Sequence, residues 1–95
     1  MSKSITKKML LSSGFEKRTD KIFCLCPQGQ RVIVTVSLPV GRSVKEFLPK
    51  WSVTVTAVRD DDHNRPSYYV LANVQIDNVE QFNMTMRITN VDFSL

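Results

Sequence analysis

Ninety-five residues with 42% hydrophobic and 23% charged side chains, but only three Gly and four Pro, predict a single domain over 1–95 with one modest core. That composition excludes a disordered, fibrous or linker-rich chain. The formal net charge of +4 is divided unevenly: residues 1–50 carry ten Lys/Arg against three carboxylates, net +7, and residues 51–95 carry three Arg against six carboxylates, net −3.

Lys3, Lys7 and Lys8 are followed only by Met9, Leu10 and Leu11, too short an apolar run for a secretory leader. No stretch reaches the ~20 apolar residues of a membrane helix. Residues 5–11 are therefore expected inside the fold. A helix is predicted over Thr6–Ser13, with Ser4 as its N-cap and Ile5, Met9 and Leu10 as an apolar stripe. Gly14 suits the left-handed position that ends such a helix, and Phe15 folds back onto the stripe.

Lys21–Cys26 reads as a strand, Cys26-Pro27-Gln28-Gly29 as a turn, and Arg31–Leu38 as the clearest strand, because Val32, Val34 and Val36 alternate with Ile33, Thr35 and Ser37. These two strands form a hairpin. Pro39 and Gly41 close the second strand. Ser43-Val44-Lys45-Glu46 has the pattern of a capping box, with Pro49 stopping any helical turn that starts there.

Trp51–Arg59 is a third strand, with Trp51, Val53, Val55 and Ala57 on one face and Ser52, Thr54 and Thr56 on the other. A polar loop over 60–66 leads to a fourth strand, Tyr68–Ile76. The final segment fits two periods. Phe82, Met84, Met86 and Ile88 alternate as in a strand, whereas Val79, Phe82 and Met86 share a helical face behind a capping pair, Asp77 and Glu80, with Asn90 as the stop. The helix is preferred because a helix at each end of the chain covers a sheet better than bare strands do. The predicted fold is α+β: a small antiparallel sheet of about four strands, an N-terminal helix and a C-terminal helix.

Few residues suggest chemistry. Cys24 and Cys26 stand two apart on a strand, which strains a disulfide and points to free thiols in a reducing cytoplasm. A structural zinc site needs about four Cys or His ligands, and the chain has two Cys and one His. No metal or cofactor is expected. The run Asp60-Asp61-Asp62-His63 lacks the ligand spacing and central glycine of a calcium loop. His63 has no nucleophile-elbow glycines around nearby Ser67, so no catalytic residue is assigned.

Two surfaces remain. An acidic hairpin tip beside a tyrosine suggests a protein-binding site at Asp60, Asp61, Asp62, Arg65 and Tyr69, since tyrosine is enriched at interface hot spots. Alternatively, Lys3, Lys7, Lys8, Lys17, Arg18 and Lys21 form a nucleic-acid patch if folding brings them together, although no finger spacing or RNP-type strand accompanies them.

The stretch Met9-Leu10-Leu11-Ser12-Ser13-Gly14-Phe15, followed by basic residues and two strands, resembles the start of HicA-type toxins and other small double-stranded-RNA-binding-like proteins, over about a quarter of the chain. The resemblance implies ribonuclease activity only with a histidine after the Gly-Phe pair. None stands there, so the activity is not carried over. The small, strand-rich, charge-polarised character is also similar to accessory proteins of phages and mobile elements, including anti-defence inhibitors. The expectation is a non-enzymatic binding or inhibitory protein whose partner is another protein, with nucleic-acid binding as the alternative.

Overall fold

The computed structural model describes residues 3–38 and 51–95. Helix α1 (Lys7–Ser12) leads into strands β1 (Glu16–Thr19), β2 (Ile22–Leu25), β3 (Val32–Ser37), β4 (Trp51–Asp60) and β5 (Pro66–Ile76), and helix α2 (Val79–Ile88) follows. The strands form one antiparallel sheet in chain order, β1-β2-β3-β4-β5. The expected α+β class holds, with five strands.

The additional strand, β1, is Glu-Lys-Arg-Thr, exposed at every position. It has no apolar alternation, and its strand character comes from pairing with β2, Lys17 opposite Phe23. The capping-box pattern at Ser43–Glu46, together with Pro39, Gly41 and Pro49, lies outside the described residues.

One face of the sheet holds the core. Phe23, Val34, Val36, Trp51, Val53, Val55 and Ile76 meet Leu10, Phe15, Phe82, Met86 and Val91 in a single buried cluster. Both helices and the C-terminal segment therefore lie on the same side. The rings of Phe15, Phe82 and Phe93 pack edge to face with centroids 5.7–6.2 Å apart, the geometry that aromatic quadrupoles favour. Trp51 packs likewise on Phe23 and donates its indole N–H to the Ile5 carbonyl at 3.1 Å.

Both helix starts differ from expectation by a residue or two. The N-cap of α1 is Thr6, whose Oγ1 accepts from the Met9 N–H, and not Ser4, which forms a β-bridge with Asn78. The N-cap of α2 is Asn78, not Asp77. The Asn78 side chain accepts from the Gln81 N–H, and the Gln81 side chain accepts from the Asp77 N–H, a reciprocal arrangement like a capping box. Gly14 (φ 102°) holds the left-handed conformation expected of it, and Asn90, expected as the stop of the second helix, is left-handed as well (φ 58°). Two side-chain pairs pin the C-terminal segment: Gln30 exchanges hydrogen bonds with the Asp92 backbone, and Asn83 with that of Leu95.

Candidate functional site: an uncharged sheet face and a projecting hairpin

The face of the sheet opposite the helices carries the outward set of the alternation. The registers align it into rows: Cys24, Thr35, Thr54 and Asn73 form one, Ile22, Ser37, Ser52 and Gln75 the next, then Ile33, Thr56 and Val70, and finally Val58 and Tyr68. No side chain in these rows is charged; the next open-face position of β4, toward the tip, is Asp60, paired with Arg31. Glu16, opposite Cys24 on β1, is the first carboxylate met at the far edge. The residues of β2, β3 and β4 in these rows are partly exposed. Hydroxyls dominate the middle of the face, and apolar side chains gather toward the β4–β5 end.

That end continues into the β4–β5 hairpin, which runs past the helix-covered core; the molecule measures 48 Å along its longest axis. Tyr68 and Tyr69 point to opposite faces, opposite Val58 and Ala57 respectively. Both are more than half exposed, because the helices do not reach this part of the sheet. Arg59 lies 5.8 Å from the Tyr69 ring centroid, within cation–π range. A bulge between Val55 and Thr56 of β4 leaves Leu71 as the extra residue of β5.

At the tip, the three aspartates have three different roles. Asp60 receives two hydrogen bonds from the Arg31 guanidinium, at 3.0 and 3.3 Å. These bonds, reinforced by the arginine's charge, hold its carboxyl below the ordinary value of 3.8 and raise the arginine correspondingly. Asp61 builds the turn, its Oδ1 accepting from the backbone N–H groups of His63 and Arg65 at 2.8 and 2.9 Å, with Asn64 at φ 58°. Asp62 makes no hydrogen bond or ion pair among the described residues and remains exposed with His63 and Arg65. The structure thus brings Asp60, Asp61, Asp62, Arg65 and Tyr69 onto one hairpin, with two of its carboxylates engaged internally. Among the described residues no group of three His, Cys, Asp or Glu is placed to hold a metal ion.

The basic set is less unified. Lys17 pairs with Asp20 at 2.9 Å, and Arg18 approaches Glu16 at 3.6 Å. Lys17, by hydrogen bond and charge, and Lys7 nearby hold Asp20 below its usual value. Lys7, Lys8 and Lys21 are exposed. Lys3 instead lines a cleft of about 520 Å³ with Glu80, Asn83, Arg87 and Phe93. Carboxylates are therefore interleaved with the lysines and arginines.

Cys24 is partly buried, 3.8 Å from the Thr35 hydroxyl, and Cys26 is exposed; both are free thiols. Among the described residues no helix is long and apolar enough to cross a membrane.

The open face was missed as a site in the sequence. Its signal, serine and threonine at alternate positions of β3 and β4, was visible, but the uncharged rows exist only once three registers are aligned. No family model matches the chain, and no curated protein or solved structure shows significant similarity to it.

Proposed function

We propose that this protein is a non-enzymatic binding protein that acts through protein–protein contacts, using the open sheet face and the adjoining β4–β5 hairpin. The observation that supports this reading is that the open-face rows from Ile22–Gln75 to Val58–Tyr68 carry no charge, the first charged pair on that face being Arg31–Asp60 at the hairpin end. The centre of a protein interface is depleted of charged residues and enriched in tyrosine. Here the uncharged rows end on Tyr68 and Val70, both exposed. Asp62 and Arg65 at the tip supply the polar rim, where charge steers encounter more than it adds affinity. An inhibitory role of the phage or mobile-element kind follows if the partner's covered surface is one that it uses.

The test is affinity capture with wild type and with Thr54→Lys, Tyr68→Ala and Lys7→Glu/Lys8→Glu variants. One partner should be retained by wild type and by the lysine variant, and lost with Thr54→Lys. Retention of that partner by Thr54→Lys and Tyr68→Ala, with loss in the lysine variant, would transfer the function to the basic residues.

A further inference from the structure

The cleft beside α2 is walled by two segments that the fold fastens to that helix. On one side the Lys3 carbonyl accepts from the Val79 N–H at 2.9 Å, and Ser4 bridges Asn78. These contacts lay Lys3 beside the first turn of α2. On the other side the Asn83 side chain donates to the Leu95 carbonyl and accepts from the Leu95 N–H. The C-terminal segment therefore runs back along α2 and brings Phe93 and Ser94 to the cleft. Between the walls, Glu80, Asn83 and Arg87 follow one stripe of the helix, spaced three and then four residues apart. The enclosed volume of about 520 Å³ is that of a small-molecule site.

The charges in this cleft are unequally used. Lys17, Arg18 and Arg31 each have a carboxylate within reach. The side chains of Lys3 and Arg87 make no hydrogen bond or ion pair among the described residues. Glu80 and Asn83 are engaged within the molecule. Arg87 stands about 10 Å along the helix axis from Glu80, at the end of the cleft away from the lining carboxylate. Two cations and one carboxylate leave the lining with one positive charge in excess. Val79 and Phe93, both partly buried, supply its apolar wall.

We infer that this cleft binds a small monoanion with a flat apolar body, an aromatic carboxylate. The Arg87 guanidinium takes the carboxylate through paired N–H donors, the geometry for which arginine is preorganised. The ring lies against Phe93 and Val79, and Lys3 adds its charge from the opposite wall. One excess positive charge matches one negative charge. A phosphate monoester, close to doubly charged at neutral pH, would bring a second negative charge that the lining does not balance while Glu80 is present. The cleft lies on the helix side of the sheet, away from the open face, so this inference and the protein-binding reading can fail separately.

Two-dimensional NMR of the full chain, titrated with phenylacetate to about 10 mM, tenfold above a millimolar Kd, tests this directly. Saturable shifts are expected for the amides of 79–87 and 93–95. Phenylacetamide has the same shape without the charge and should bind at least about tenfold more weakly. Arg87→Gln, at an exposed position, should weaken phenylacetate by a similar factor with unchanged circular dichroism, whereas Lys8→Gln on α1 should leave it unaltered. Inorganic phosphate should not displace phenylacetate. Unsaturable shifts, shifts centred outside the cleft, or equal binding of phenylacetamide would each overturn the proposal without recourse to any variant. Binding that survives Arg87→Gln, or displacement by phosphate, would overturn it as well.

Discussion

Trp51 stands where three supports of the fold meet. Its indole N–H satisfies the buried Ile5 carbonyl, its ring packs on Phe23, and its backbone opens β4 opposite Ile76. Trp51→Phe keeps an aromatic ring but leaves the Ile5 carbonyl without its donor. A buried acceptor so orphaned costs about 1–3 kcal/mol, and urea denaturation should show a loss of that size. At the exposed surface, Asp60 gives a pH signature. Its folded pKa lies below 3.8 because Arg31 bonds the carboxylate, so the unfolded chain binds more protons across that interval. The stabilising contribution is complete above the ordinary carboxylate range and is lost as pH falls through the lowered value. Asp60→Asn should flatten the acid limb of stability against pH, leaving the part that comes from Asp20, held down in the same sense by Lys17.

Among the elements, α2 shows how the core is closed. Phe82 and Met86 are fully buried, while Ile88, two residues beyond, is 74% exposed. Phe82→Ala removes the ring that meets both Phe15 and Phe93 and should cost about 3–5 kcal/mol, a large part of the ~5–15 kcal/mol available to a domain. Ile88→Lys should change stability by less than about 0.5 kcal/mol. Thermal melts of the pair separate the buried stripe from the alternation that made 82–88 resemble a strand. That ambiguity is physical: Phe82 and Met86 satisfy both a period of two and a helical face, and the Asn78 cap decides for the helix. Strands β3 and β4 were legible because β-branched residues alternate over a buried face. Strand β1 was not, because nothing in Glu-Lys-Arg-Thr indicates burial, and its pairing is imposed by the neighbour. The tip residues were legible as a polar loop, but the division of labour among Asp60, Asp61 and Asp62 depends on Arg31, which is distant in sequence.

For the whole molecule, the +7/−3 division along the chain is bridged by one ion pair among the described residues and locally offset by two more. Arg31 from the basic half pairs with Asp60 from the acidic half, and Lys17 and Arg18 pair with Asp20 and Glu16 beside them. Lys3, Lys7, Lys8 and Lys21 then remain as phosphate contacts from the six candidates, with Lys3 in a cleft shared with Glu80. Arg42, Lys45 and Lys50 lie outside the described residues. Each phosphate neutralised contributes about −0.9 to the slope of log affinity against log salt. Four contacts cap that slope near −4, and non-specific duplex binding at physiological salt should fall at or beyond the weak end, about 100 µM, of the usual range. Fluorescence anisotropy with a short RNA duplex across a salt series measures both quantities. Low-micromolar binding with a slope steeper than about −5 would require Lys17 and Arg18 to leave their carboxylates, or the basic residues of 39–50 to join them. In that event the basic half would be the working surface, and the uncharged face would lose its claim to it.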